Sequence, residues 1–359
     1  MLSRTLYGAA KMAIGLAFMI LLSVGCGSEA RCQTPAPPAP DPKELHGGIE
    51  VALRSVRAIV LRVSTNPEGD NIKIISADQI TPSTSIPKDD KPAPEYIRDL
   101  ALAVQKLSDK LQNDFHVPPN QLHLVGLSDL AGQTRGDLDR EVRDKLGKEI
   151  TFLDAKGETE LNIAGNIPRY YQFEGKRYDN RSISLLLDIS ASSVRGGYQQ
   201  LSMTSHGRAE YDYVTWDIPI NGPLSAEAAQ NPGLKLRKKV YLVGNIVWAL
   251  TALLYPQYQG DYVPLTMEDI NSFYYRAMTD PEALLNPDLS RISNENARKE
   301  ARKGREAIKA IYTPRTLTAG AESLRLAATE LNLADKRLIF ARNSNWARIL
   351  NFIRLQIEQ

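Results

Sequence analysis

Apolar and polar positions alternate first with a period of two and then with a period near 3.6, and the switches between the two outline the chain. From Gly48 the pattern gives a strand through Ile49-Glu50-Val51, a turn at Leu53-Arg54-Ser55, a strand over residues 56–63 and a third extended run near residues 72–75, which together predict a meander. Ile97, Leu100, Ala101, Val104, Leu107 and Leu111 recur at helical spacing, and residues 122–126 follow as a short buried strand. The same order then returns. Residues 184–188 form a strand, a turn and a second strand lead through Tyr198, and a long extended run covers residues 210–220. A strand at 240–243 and a helix at 247–254 complete this second pass. Thr318-Ala319-Gly320-Ala321-Glu322 opens a further helix, residues 337–340 read as a strand, and an amphipathic helix over 346–357 packs on the body.

The return is visible in the residues themselves. Ile49 to Ala58 aligns without gaps against Leu187 to Gly196, so that the acid (Glu50, Asp188), serine (Ser55, Ser193), valine (Val56, Val194) and arginine (Arg57, Arg195) fall in register. Leu124-Val125-Gly126 is echoed by Leu242-Val243-Gly244. Two echoes in the same order predict a duplication and two similar lobes, residues 47–180 and 181–359.

Composition agrees with such a body: 359 residues, 43% hydrophobic and 24% charged, are enough for two domains with real cores. A formal charge of +2 is too small to suggest a global affinity for nucleic acid or membrane, so no nucleic-acid partner is expected and any basic site must be local. Both cysteines, Cys26 and Cys32, lie near the start, so the body folds without a disulfide or a cysteine metal site. His46, His116, His123 and His206 show no metal-ligand spacing, which argues against zinc chemistry.

The first residues have a targeting character. Arg4 and Lys11 precede an apolar run at residues 12–24, which as a helix would reach ~20 Å against a bilayer core of about 30 Å. The run ends in Leu22-Ser23-Val24-Gly25-Cys26, which resembles the lipobox of bacterial lipoprotein precursors. On that resemblance, residues 1–25 are a signal peptide, Cys26 carries the lipid, and residues 26–46 are a proline-rich extended tether holding the body at a bacterial membrane. The alternative is a soluble secreted protein cut after Ala30, since Ser28-Glu29-Ala30 also suits a signal peptidase.

Two lobes that each begin with an acid-bearing strand and a tight turn look like the actin-like ATPase superfamily, an α/β, two-lobed ribonuclease H-like fold with a central cleft between duplicated lobes. Within it the chain resembles the exopolyphosphatase/guanosine pentaphosphate phosphohydrolase family from about Gly48 to Leu350. Residues 48–63 are similar to the family's first phosphate turn, and residues 125–132 to its serine-alanine-x-arginine-glutamate segment. Residues 152–161 are similar to its glycine-x-glutamate-glutamate-alanine-arginine run, and residues 186–195 to its second phosphate turn. Leu242-Val243-Gly244-Asn245 is similar to its glycine-glycine turn before a helix, and residues 317–347 to its closing helix and strand.

The resemblance implies roles. Glu158 stands where the family has its water-activating base, and Glu50 and Asp188, on facing turns, would hold Mg²⁺ through waters. Asp188 is also a catalytic candidate. Arg54, Ser55, Ser190, Ser192, Ser193, Arg195, Gly244 and Asn245 would meet phosphate oxygens, with Arg54 and Arg195 facing one another across the cleft. The departures are as specific. The family's small, glycine-bearing first turn is here Ala52-Leu53-Arg54, its second glycine run is Ser190-Ala191-Ser192, its second acid is Arg195, and its phosphate-binding arginine is Ala131. Loss of glycine limits close approach of backbone amides to an oxyanion.

Each candidate also has an ordinary alternative: Glu158 as a solvated helix carboxylate, the serines as turn residues, the arginines as surface groups. The basic cluster Arg298, Lys299, Arg302, Lys303, Arg305 and Lys309, interrupted by Glu300 and Glu306, reads as a solvated helix or as a polyanion surface. Two functions follow. One is a divergent envelope lipoprotein, catalytically reduced or non-catalytic, that binds polyphosphate, another phosphate-bearing anion or a partner. The other is a Mg²⁺-dependent phosphoanhydride hydrolase.

Overall fold

The predicted meander is formed by β1 (Leu45–Ala52), β2 (Ser55–Ser64) and β3 (Asn71–Ile80), which pair antiparallel in that order. The computed structural model describes residues 44–64, 71–82, 92–130, 132–173, 176–190, 192–203, 209–258 and 260–358. These residues belong to one unit that runs from Asp41 to Gln359. The signal segment, Cys26, Cys32, the proline tether, Ala131, Ala191 and His206 lie outside the described residues.

The helix α1 (Pro94–Asn113) starts at a proline, whose fixed φ and missing N–H suit a first turn. It buries Ile97, Leu100, Ala101, Val104, Leu107 and Leu111, the stripe set by their spacing. A large aliphatic side chain buried in this way contributes about 1.5–3 kcal/mol, which is what fixes the helix on the sheet. Next, β4 (Leu122–Gly126) returns parallel to β1, α2 (Gln133–Leu146) ends at Gly147 in the left-handed region, and β5 (Thr151–Phe152) completes the sheet in the order β3-β2-β1-β4-β5. The helix α3 (Ala155–Asn166) is capped by Asp154, whose Oδ1 accepts from Gly157 N at 2.7 Å. A separate hairpin, β6 (Tyr170–Phe173) and β7 (Lys176–Asp179), leads to the second half.

That half repeats the plan. The strands β8 (Ser184–Ile189), β9 (Ser193–Met203) and β10 (Ala209–Pro219) form a second antiparallel meander. After α4 (Leu224–Gln230) and α5 (Pro232–Leu236), β11 (Lys239–Val243) runs parallel to β8, and α6 (Asn245–Leu254) follows at once. Then come β12 (Tyr262–Leu265), α7 (Met267–Thr279), α8 (Pro281–Leu285), α9 (Glu295–Ile311), α10 (Pro314–Glu330), β13 (Arg337–Ala341) and α11 (Ser344–Ile357). The second sheet has the order β10-β9-β8-β11-β13-β12. The duplication holds at the level of register: Glu50 lies opposite Arg57 and beside Val125, and Asp188 lies opposite Arg195 and beside Val243.

Two helices differ from the sequence expectation. The helix α10 begins at Pro314, four residues ahead of the predicted Thr318, because Thr313 and Thr316 form a reciprocal cap there. The last helix lies in the half assigned to the second lobe, yet its Ile349, Phe352 and Ile353 cluster with Ile59, Leu61 and Val125 of the first sheet. The helix α3 touches both halves, with Leu161 in that same cluster and Ile163 and Ile167 packed on Leu186, Tyr241 and Val243 of the second sheet.

One polar feature of the first sheet carries a pH dependence. His46 and His123, from the parallel neighbours β1 and β4, stack with ring centroids 6.0 Å apart, and His46 Nδ1 and His123 Nε2 are buried without a hydrogen-bond partner. Burial lowers both, and His123 is pushed down to about 4, with His46 and Lys148 adding to the effect. In the unfolded chain a histidine titrates near ~6.5, so between that pH and about 4 the unfolded state takes up protons that the folded state refuses. Stability is therefore full above that window and falls as the pH drops through it. Discounted for solvent screening of these partly exposed rings, the loss is about 1–2 kcal/mol. His123→Phe keeps the stacking and should flatten the curve of melting temperature against pH in this range; a curve parallel to the parent's would exclude the histidine pair as the cause.

Candidate functional site

In each of the two turns that open the lobes, the chain itself engages amides that face the turn. In the first, Leu53 N–H donates to Asp129 Oδ2 at 3.0 Å, and the Tyr96 hydroxyl donates to the Leu53 carbonyl. In the second, Ser190 Oγ accepts from Ser192 N at 3.2 Å and from Ser193 N at 2.9 Å, while donating to the Ser193 carbonyl at 2.9 Å. With serine in place of a glycine run, the hydroxyl satisfies locally the N–H groups that an anion would otherwise need to meet.

Behind the turns lies a buried network of carboxylates and guanidinium groups. Glu50, with a side chain 1% exposed, accepts from Arg348 Nε at 2.7 Å and Nη2 at 3.0 Å, and from Arg57 Nη1 at 3.5 Å. The third nitrogen of the same guanidinium, Arg348 Nη1, donates to Glu158 Oε1 at 2.9 Å. The other oxygen of Glu158 accepts from the Ser128 hydroxyl, from Ser128 N at 3.3 Å and from Arg195 Nη1 at 3.2 Å. Arg195 also donates to Asp217 Oδ2 at 3.0 Å and to Ser128 Oγ at 3.1 Å. Arg348 thus ties β1 to α3 from the last helix.

The titrations follow from this wiring. Burial alone would raise Glu50, but the charges and hydrogen bonds of Arg348 and Arg57 hold it below the usual carboxylate range. Burial would likewise lower Arg348, and Glu50 and Glu158 more than reverse that, so it stays charged. Asp188 has no such bidentate partner. Burial pushes it up, only partly opposed by Arg348, Arg195 and Arg57 through space, and Glu158 adds to the rise. Asp129 is also raised, again chiefly by burial.

A cavity of about 420 Å³ opens in front of this network. Its polar lining includes Arg54, Arg57, Asp188, Ser190, Asn245 and Arg348, and its apolar lining includes Ile246 and Ile311. The helix α6 starts at this wall. Its N-cap, Gly244, has φ +103°, and a Cβ there would stand 2.7 Å from Asp188 Oδ1 and 2.8 Å from the Ile189 carbonyl, so only glycine fits. No side chain caps the helix, and its first amides carry their partial positive charge toward the cavity.

Of the residues expected from sequence, Arg54, Asp188, Ser190, Gly244 and Asn245 meet at the cavity, whereas Ser55, Ser192 and Ser193 do not line it. Glu50, Glu158 and Arg195 lie in the network behind it. The expected pair of facing arginines, Arg54 and Arg195, is not formed: Arg195 is spent on Glu158 and Asp217, and the guanidinium groups that share the cavity with Arg54 are Arg57 and Arg348. Neither was singled out from sequence. Arg57 is the counterpart of Arg195 in the internal alignment, and Arg348 interrupts the apolar stripe of α11, so both left a signal. The Mg²⁺ pair, Glu50 and Asp188, does not fit a metal as it stands, because both oxygens of Glu50 are already engaged by arginine. The basic cluster on α9 is laid out as a solvated face, with Arg298–Glu295, Lys303–Glu300 and Arg305–Glu306 as local ion pairs.

No protein-family model matches the chain, and no curated protein matches it. Solved structures do. A Ppx/GppA family member from Aquifex aeolicus matches with a TM-score of 0.54 at 14% identity, covering 88% of this chain and 98% of its own. An exopolyphosphatase-like protein matches with a TM-score of 0.55 at 13% identity over 87% and 99% of the two chains. An exopolyphosphatase from Cytophaga hutchinsonii matches with a TM-score of 0.54 at 12% identity over 86% and 98%. The fold is therefore that of the Ppx/GppA structures, the two-lobed ribonuclease H-like (actin-like ATPase) α/β architecture expected from sequence.

Proposed function

We propose that this protein is a divergent relative of the exopolyphosphatases that binds a phosphate-bearing anion such as polyphosphate without hydrolysing it, at a bacterial membrane to which an acylated Cys26 anchors it. The observation that carries the non-catalytic part is the state of Glu158. The group that would activate water has both oxygens held by Arg348, Arg195 and Ser128, its side chain is 7% exposed, and it does not line the cavity. A general base must be within reach of its proton, directly or through one water, and both oxygens of this carboxylate are already taken up by other donors. The Leu53 amide of the first turn and the Ser192 and Ser193 amides of the second are likewise engaged. What remains for an anion is the mouth: Arg54, the outer face of Arg57 and Arg348, and the uncapped start of α6. One feature favours the hydrolase instead, since Asp188 lines the cavity and burial raises its pKa, as suits a proton donor.

One set of preparations separates the two. The full chain made in a bacterium should fractionate with membranes and take an acyl label, and Cys26→Ser should lose both; multiple acylation is required, because a single chain binds only marginally. Purified, the parent should bind tripolyphosphate, Arg54→Ala should weaken binding by roughly tenfold or more, and neither should release phosphate. Release by the parent that falls ~10²–10⁴-fold in Glu158→Gln and Asp188→Asn would establish the hydrolase and overturn the binding reading.

A further inference from the structure

We infer that Arg348 is a built-in replacement for a divalent cation, so that this cleft holds its anion without Mg²⁺. The inference rests on the anion-binding reading for the identity of the ligand, but the replacement itself stands on the geometry of three elements.

Glu50 on β1 and Glu158 on α3 face one another across a gap that one guanidinium spans. Arg348 reaches two oxygens of the first carboxylate at 2.7 and 3.0 Å and one oxygen of the second at 2.9 Å. Two buried acids with a third, Asp188, coupled to Glu158 through space are what a hard divalent ion takes together with waters. Here the same acids are neutralised from within. Arg348 neutralises Glu50 and Glu158 directly, Arg57 adds to the first and Arg195 to the second, so that each of the two glutamates meets two guanidinium groups. Every oxygen of Glu50 and Glu158 already accepts from a guanidinium, so a +2 ion could reach them only by displacing Arg348, and two like charges held side by side in a buried site are strongly disfavoured.

Arginine also does what a metal does for the ligand. Of its five N–H donors, three are used on the two glutamates, which leaves one on each terminal nitrogen. Arg348 lines the cavity, and a guanidinium fixed on its far side by carboxylates is a rigid, permanently charged donor for a phosphoryl oxygen. A lysine would serve less well, because its ammonium cannot bridge two carboxylates in a plane and still face outward.

The test uses Mg²⁺ alone and pyrophosphate alone as probes on the full chain. The melting temperature of the parent should be the same in EDTA and in millimolar Mg²⁺, and its calorimetric affinity for pyrophosphate in EDTA should be fully developed. Arg348→Ala frees the two glutamates; it should melt lower than the parent in EDTA and regain several degrees on addition of Mg²⁺. Arg348→Lys keeps the charge and should remain insensitive to Mg²⁺. Stabilisation of the parent by Mg²⁺, pyrophosphate binding that requires Mg²⁺, or a folded Arg348→Ala indifferent to Mg²⁺ would each overturn the inference. If Arg348→Ala does not fold, the two measurements on the parent decide. If the parent binds no pyrophosphate in either buffer, the anion-binding reading fails, while the Mg²⁺ response of the parent and of Arg348→Ala still decides the replacement.

Discussion

Arg348→Met lowers the stability of the body by about 3–5 kcal/mol, a fall in melting temperature on the order of 10 °C. Methionine matches much of the arginine's length, so packing is nearly kept and the loss is electrostatic. Two carboxylates whose side chains are 1% and 7% exposed are left facing one another without the cation that bridged them. A buried ion pair adds little when compared with an apolar substitute, but removing only one partner strands a charge. The pH dependence checks this origin. Glu50 is held below the usual carboxylate range in the parent, so its contribution is present above the ordinary value near 4.5 and is lost as the pH falls through the depressed folded value. The gap between parent and Arg348→Met should therefore narrow in acid. Glu50→Gln combined with Arg348→Met should be less damaging than the sum of the single changes by at least about 1 kcal/mol. Strictly additive losses, or a gap that does not depend on pH, would assign the effect to packing.

The contrast between fold and site in legibility has a physical cause. Strand and helix periods are local, and so the meanders, the β4 and β11 returns, α1, α6 and the closing helix can all be read from spacing. The duplication is nearly local too, since Glu50 and Asp188 occupy equivalent positions in a register that the alignment already implied. Which guanidinium meets which carboxylate is not local. Arg348 and Glu50 are 298 positions apart, and nothing in the sequence says that the last helix returns to the first strand. The expectation for Arg54 and Arg195 fails for a related reason. An arginine settles on the nearest unpaired carboxylate, and α3 delivers Glu158 to Arg195, while Arg54, exposed at the first turn, lines the cavity. The spent turns were half visible: the missing glycines were plain, but that Ser190 would fill its own turn and Asp129 the other depends on side-chain rotamers.

Gly165→Ala destabilises the body by about 2 kcal/mol or more, although alanine is by itself the better helix former by about 1 kcal/mol. The sign depends on what surrounds each glycine. Gly136 in α2 and Gly304 in α9 have nothing within 4 Å of a Cβ, so alanine there should stabilise by roughly 0.5–1 kcal/mol. At Gly165 a Cβ would stand 2.3 Å from Asn351 Nδ2 and 2.6 Å from the Ala347 carbonyl. The amide could swing aside, but the carbonyl belongs to the backbone of α11, so α3 and α11 must separate. These two helices carry Glu158 and Arg348, and the point of closest approach lies one residue from Arg348. Separation stretches the 2.9 Å bond between the two side chains and weakens the hold of Asn351 on the Leu161 carbonyl. Gly165→Ala should accordingly lose affinity for pyrophosphate together with stability, although it touches neither the cavity nor the ion network, while Gly136→Ala and Gly304→Ala bind as the parent does. Thermal melts and calorimetry on the three variants decide the matter: a Gly165→Ala protein that gains stability like the other two would mean that the helices are not in the contact described, and one that loses stability but binds pyrophosphate normally would uncouple the helix pair from the position of Arg348.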